Sequence, residues 1–367
     1  MNFSITRRQL LQAGLISALP IPAFAQERKF EPVAGPWRTF ELTTTVTVAE
    51  PKGVNKLWLP VPDLDTDWQK TLSNDWSGNA TRASLANDPA RGVRMVYAEF
   101  DAGVAAPTLT VTSKLQTRNR SVDLSRPGTV ADVDAATLKQ YLGPTELQPI
   151  DGVVRKTALE ATKNAKTELE KVRALYEWVI ANGHREPTTR GCGTGDIKTM
   201  LETGNLGGKC ADLNALFVGL CRAVGIPARD VYGLRLAPSA FPYKELGANS
   251  ANLKGAQHCR AEVYLKSHGW VAMDPADVLK VMRQETAEWI KDPKHPIAAP
   301  VHANLFGRWE GNWVGWNTAH DIRLPGSSAK GTLPFLMYPN GENASGAFDS
   351  LSPDTFKYVI SAKEITA

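Results

Sequence analysis

The chain has 367 residues, 43% of them hydrophobic, with 42 Lys+Arg against 38 Asp+Glu. That length supports two domains and a core that needs no disulfide staples, and basic residues scattered among acids argue against a nucleic-acid-binding surface. The four cysteines, Cys192, Cys210, Cys221 and Cys259, show no C-x-x-C pairing, so neither a metal nor another cofactor is expected.

At the start, Thr6-Arg7-Arg8-Gln9-Leu10-Leu11 leads into an apolar run that ends at Ala23-Phe24-Ala25, a small-residue cleavage pattern. Residues 1–25 are therefore expected to be an export signal of the twin-arginine kind, with the mature chain periplasmic or secreted from a bacterium. The run is too short and too rich in Gly, Ser and Pro to act as an anchor, so no stable membrane insertion is expected after its removal. Loss of Arg7 and Arg8 would take the net charge from +4 to +2.

Residues 26–130 read as a β-rich, sandwich-like domain. Phe40, Leu42, Thr44, Val46 and Val48 alternate with polar partners, and Leu109, Val111, Ser113 and Leu115 repeat the same two-residue period. Pro60 and Pro62 end a strand, and the polar stretch 63–91 is expected to be a long exposed connection. A linker over residues 121–134, containing Arg126-Pro127-Gly128, leads to a core over 131–290. There Thr167-Glu168-Leu169-Glu170 forms a capping box, and Val172, Leu175, Tyr176 and Val179 follow at helical spacing until Gly183.

The run from Cys210 to Gly225 has few polar side chains and predicts a helix buried on nearly every face, ended by Gly225-Ile226-Pro227. On that helix Cys210 and Cys221 would sit about 16 Å apart, too far for a mutual disulfide. Strands are expected over 230–236, 258–265 and 270–274, the last two joined by a turn at 266–269. Residues 291–367, rich in Trp, Gly and Pro, are expected to extend the core, with a strand over 356–360 finishing the same sheet.

Cys210 follows Gly207-Gly208-Lys209 and opens the buried helix, where free N–H groups, the positive helix end and Lys209 all lower a thiol pKa. The glycines let a carbonyl approach closely enough for the Cys210 N–H to stabilise an oxyanion. A thiolate nucleophile needs an acid/base partner with its own orienter, and a hairpin turning at residues 268–269 would carry Asp274 back beside His258. Cys259 points to the other face and is assigned to packing, while Glu262, about 13 Å along the strand from His258, is assigned to a structural ion pair. Gly191-Cys192-Gly193-Thr194-Gly195-Asp196 lacks the ending of a phosphate loop and reads as a loop bordering the cleft.

The stretch from Gly207 to Asp274 resembles the transglutaminase-like superfamily, whose core is papain-like. The shared order is Gly207-Gly-Lys-Cys210-Ala-Asp212-Leu-Asn214, Gly225-Ile-Pro-Ala-Arg229, His258-Cys-Arg-Ala-Glu262-Val-Tyr264 and Gly269-Trp-Val-Ala-Met-Asp274-Pro275. The resemblance implies an α+β fold with a Cys-bearing helix packed on an antiparallel sheet. It also implies roles for Cys210 as nucleophile, His258 as general acid/base and Asp274 as orienter of the imidazole. Two features depart from the family: Arg260 stands where an aromatic residue often follows the histidine, and no Trp lies between Trp178 and Cys210 to complete an oxyanion hole. Asn205 is a candidate for that second donor, set against a plain turn residue.

The functional expectation is an exported cysteine peptidase or amidase that cleaves a peptide or protein substrate, such as a cell-envelope peptide, through a thioester acyl-enzyme. The alternatives are acyl transfer from a protein glutamine to an amine, and a non-catalytic binding or scaffold module.

Overall fold

The alternation at Phe40 to Val48 builds β1 (Arg38–Thr47), whose residues turn alternately inward and outward along its length. The computed structural model describes residues 28–88, 90–128, 130, 133–352 and 355–365. The expected export signal at 1–25 lies outside them. Strands β2 (Asn55–Pro60), β3 (Gln69–Gly78), β4 (Arg82–Asn87), β5 (Arg94–Phe100) and β6 (Thr108–Thr117) follow, with a two-residue β7 (Arg120–Ser121).

The polar stretch 63–91 is thus not a simple connection, because it contributes β3 and β4. Both are sheet edges, β3 pairing only with β6 and β4 only with β5, and β4 is exposed over nearly all its length. Main-chain hydrogen bonds hold such strands without an apolar face, so hydrophobic periodicity does not reveal them.

The helical part begins with α1 (Ala135–Gln140), α2 (Gly152–Ala161) and α3 (Glu168–Asn182). Thr167 and Glu170 form the expected capping box, and Gly183 ends α3. After β8 (His184–Arg185), α4 (Ile197–Thr203) and β9 (Gly207–Gly208) comes α5 (Cys210–Ala223), buried at all 14 positions. Then follow β10 (Ala228–Arg235), β11 (Arg260–Leu265), β12 (Gly269–Met273), α6 (Pro275–Gln284) and α7 (Ala299–Asn304). The chain closes with β13 (Arg308–Trp309), β14 (Trp313–Asn317), β15 (Asn340–Asn343), β16 (Gly346–Ala347) and β17 (Lys357–Ile365).

Strands β10, β11, β12 and β14 form the core antiparallel sheet in the order β12-β11-β10-β14, and α5 lies against β10 and β11. The first β-region forms two further antiparallel sheets, ordered β17-β1-β6-β3 and β16-β15-β2-β5-β4, whose inward residues join one hydrophobic cluster. The C-terminal segment therefore does more than extend the core. Its β14 enters the core sheet, but β15 pairs with β2 and β17 runs antiparallel to β1 from Thr47↔Lys357 to Thr39↔Ile365. Strand pairing over more than 300 residues of sequence leaves no local signal, and the strand expected at 356–360 joins β1 in place of the core sheet. Among the described residues, no helix is long and apolar enough to cross a membrane.

Glu262 on β11 ties these parts together. It is buried to 1% exposure and paired with Arg120 of β7 and, at 2.6 Å, with Arg229 of β10. Removing one partner of a buried ion pair leaves the other charge uncompensated. Glu262→Ala, which strands two arginines, is expected to cost about 3–5 kcal/mol of stability. The change should be read as a lower denaturant midpoint at an unchanged slope.

Candidate active site

The start of α5 is set by Asp212, whose carboxylate gathers three backbone N–H groups. Its Oδ1 accepts from Thr194 at 2.9 Å and Gly195 at 3.0 Å, and its Oδ2 accepts from Lys209 at 3.0 Å. The loop at 191–196 is thereby folded over the helix N-terminus, and the Ala211 N–H donates to the Cys192 carbonyl at 2.9 Å. Gly193 has φ +90°, and a Cβ there would lie 1.8 Å from Asp212 Oδ2. Only glycine fits, for both conformation and space. Cys210 is the first residue of α5, and among the described residues its N–H has no protein acceptor.

The segment before β11 brings His258 to this point. Its N–H donates to the Gly233 carbonyl at 3.0 Å, and the Trp313 indole holds its carbonyl at 2.8 Å. The strand itself begins at Arg260, so His258 stands just outside the paired region. Asp274 ends the returning strand and caps α6, where its Oδ1 accepts the Asp277 N–H at 3.1 Å and Pro275 fills the first helical position. Its Oδ2 lies 2.7 Å from His258 Nε2, which leaves Nδ1 as the ring nitrogen that faces the sulfur. Asn214, one turn along α5 from Cys210, donates to Asp274 Oδ1 at 3.3 Å and to the Cys259 carbonyl at 2.9 Å. The structure thus brings Cys210, His258 and Asp274 together, with exposures of 3%, 4% and 0%.

Asp277 is a fourth member that the sequence reading missed. It lies 3.3 Å from His258 Nε2 and 2.5 Å from Arg235. Its position three residues after a Pro-flanked N-cap was the available signal. Burial and Arg235 oppose a charged imidazole, but Asp277 and Asp274 outweigh them and hold the His258 pKa up to about 9. Despite burial, Arg235 and His258 keep Asp277 well below the ordinary carboxyl value, so it is a fixed anion. Burial, and then the charge of Asp277, push Asp274 upward. His258, Asp274 and Asp277 present one atom each within 4.8 Å of one another, as a metal site would. With Arg235 on Asp277 and Arg260 Nε 3.7 Å from Asp274, the cluster already holds its counter-charges, and a cation fits it poorly.

The sulfur itself has unexpected neighbours. The neighbouring Cys192 and Cys259 side chains, together with His258, lower the Cys210 pKa well below its ordinary value against the cost of burial, while the Cys192 thiol donates to the Gln257 carbonyl at 3.3 Å. The same contacts and burial push the Cys192 and Cys259 thiols well up, so both stay protonated. Assigning Cys259 to packing was therefore incomplete. It is buried, and with Cys192 and His258 it is one of the groups that shift the Cys210 thiol. Cys221, beyond hydrogen-bond reach farther along α5, is free and inert, its pKa pushed up by burial.

Asn205 is exposed, and its Oδ1 accepts the Gly207 N–H at 3.2 Å as a turn residue; it does not line the cleft. Arg260 lies against Trp309 and Trp313, at 5.4 and 4.6 Å from the ring centroids, so aromatic rings from the C-terminal segment pack at this position. Glu262 is an ion-pair residue, as its place on the strand indicated.

A cleft of about 640 Å³ opens over Cys210 and His258. Its lining among the described residues includes Arg185, Arg190, Lys209, Arg235, Lys254 and Lys280, and no carboxylate side chain. Tyr338 and Tyr358 from the C-terminal segment close one side.

Comparison with known proteins gives the family. The profile of the Transglutaminase-like superfamily matches residues 155–275, which span Cys210, His258 and Asp274. An uncharacterized Haemophilus influenzae protein is 32% identical over 342 residues, covering 89% of this chain and 91% of the relative. The uncharacterized protein YebA of Bacillus subtilis is 24% identical over 259 residues, 68% of this chain and 33% of that protein. Among solved structures, a Cytophaga hutchinsonii protein described as a candidate cysteine protease superposes with a TM-score of 0.50 at 16% identity, covering 91% of this chain and 99% of that one. A helix opened by Cys210, a hairpin that sets His258 against Asp274 and these relationships agree: the chain belongs to the transglutaminase-like superfamily.

Proposed function

We propose that the protein is an exported thiol hydrolase that cleaves peptide or amide bonds through an acyl-enzyme on Cys210. The observation that carries this reading is the sulfur at the tip of α5, its thiolate favoured by its neighbours, beside an imidazole whose far nitrogen is 2.7 Å from Asp274. The Cys210 thiolate attacks the carbonyl carbon, and the oxyanion forms against the Cys210 N–H. His258 gives its Nδ1 proton to the departing amine as the C–N bond breaks, leaving a thioester. It then takes a proton from water, whose oxygen attacks the thioester, and the acid and the Cys210 thiolate are released. Asp274 holds the ring, and Asp277 adds charge that keeps it protonated for the first step.

Acyl transfer to a lysine-like amine is the less favoured reading, because the cations lining the cleft repel an approaching ammonium group. A non-catalytic module would have no use for a thiol held deprotonated. Export is supported by Arg7-Arg8 and the apolar run up to Phe24. Mass spectrometry of protein from its native host should find Gln26, free or cyclised, at the N-terminus, and an intact Met1 would contradict export.

Cys210→Ala should abolish release of peptides from an envelope extract that the native protein cleaves, with the fold retained by circular dichroism. Equal release by both proteins would exclude the thiol mechanism. Hydrolysis should fall as pH rises through about 9, because above the His258 pKa the ring no longer carries the proton that the leaving amine needs. A rate that keeps rising past pH 10 would remove His258 from that role. Cys259→Ala deletes one neighbour that favours the thiolate, so alkylation of Cys210 by iodoacetamide should shift to higher pH by about one unit. An unchanged alkylation profile would show that Cys259 only packs.

A further inference from the structure

The chain as a whole carries a net charge of only +4, yet among the described residues six cationic side chains and no carboxylate line one cleft. Three of the six are already matched by acids whose residues lie outside the lining: Arg190 by Asp349, Arg235 by Asp277 and Lys280 by Glu245. The other three, Arg185, Lys209 and Lys254, have no carboxylate partner among the described residues. Arg185 donates its Nε to the neutral Gln284 at 3.0 Å, and Lys254 is exposed beside the Tyr358 ring, 5.5 Å from its centroid. Lys209 adjoins Cys210 itself, and burial together with the Arg185 charge lowers its pKa.

Like charges crowded round a groove cost free energy unless an anion joins them. Activation of the thiol does not account for the arrangement. Two thiols and His258 already stabilise the sulfur, and Lys254 stands exposed at the cleft margin. A ligand carrying more than one negative charge would answer all three free cations.

Building on the proposed hydrolysis, we infer that the cleft selects acidic peptides, with Arg185, Lys209 and Lys254 pairing with carboxylates that flank the scissile amide. The peptide backbone supplies the carbonyl for Cys210, and the carboxylates fix its register along the groove. Arg185 is the main specificity residue, because its guanidinium keeps two nitrogens free for a bidentate carboxylate while Nε is anchored on Gln284.

The test separates recognition from turnover by using the Cys210→Ala protein. Two blocked pentapeptides are titrated by calorimetry, one with Glu on both sides of a central glutamine and a neutral twin with Gln at those positions. The acidic peptide should bind at least about tenfold more tightly. The preference should shrink as salt rises, and Arg185→Gln with Lys254→Gln should abolish it while leaving affinity for the neutral twin unchanged. Equal affinities for the twins would overturn the inference, as would a preference that survives both substitutions. So would inorganic phosphate competing as strongly as the acidic peptide, which would mark a phosphate site instead. Charge-selective binding without cleavage by the native protein would remove the hydrolase and leave the acidic-ligand site standing.

Discussion

Asp274 is the constraint on which the site depends. It is fully buried, and each oxygen has separate work: Oδ2 meets His258, while Oδ1 receives the Asp277 N–H and the Asn214 amide. One carboxylate therefore ends β12, starts α6, orients the imidazole and is tied to the helix that carries Cys210. A buried carboxylate is tolerated only where hydrogen bonds and opposite charge replace water, and Asn214, His258 and Arg260 supply them. The position of the imidazole is thus inherited from the packing of α5 on β10 and β11 and of α6 on α5.

Much of this arrangement was legible in the sequence because its signals are local. A helix that is apolar nearly all round, opened by Gly207-Gly208-Lys209-Cys210, must be buried with its N-terminus facing a cavity. A turn at 266–269 fixes which residues of two adjoining strands meet, and that brought Asp274 to His258. Glu262 was placed correctly by counting along a strand. The illegible parts depend on partners far away in sequence. The edge strands β3 and β4 are polar, and β17 finds β1 across the whole chain. Asn205 looked plausible as a donor only because linear proximity to Cys210 does not say which way a turn faces.

The thiol cluster shows a different limit. Cys192, Cys210 and Cys259 come from a loop, a helix tip and the approach to a strand, and no spacing rule connects them. Their convergence favours the thiolate against burial, and the charge of Asp277, with Asp274 beside it, keeps the neighbouring ring positive. Outside this centre lies a ring of cations that belongs to the cleft. On the proposed reading, nucleophile activation and substrate selection fall to different groups, Cys192, Cys259 and His258 for the first and Arg185, Lys209 and Lys254 for the second. The C-terminal segment serves both by placing Trp313 on the His258 carbonyl and Tyr338 and Tyr358 on the cleft wall.

The central claim is that the buried imidazole carries a proton at neutral pH because two carboxylates hold it there. Nitrogen-15 NMR of the His258 ring across a pH titration tests this directly. A ring doubly protonated at pH 7, with a hydrogen-bonded Nε2 proton and a midpoint near 9, is the predicted result. A neutral ring at pH 7, titrating at or below the ordinary histidine value of about 6.5, would contradict the account.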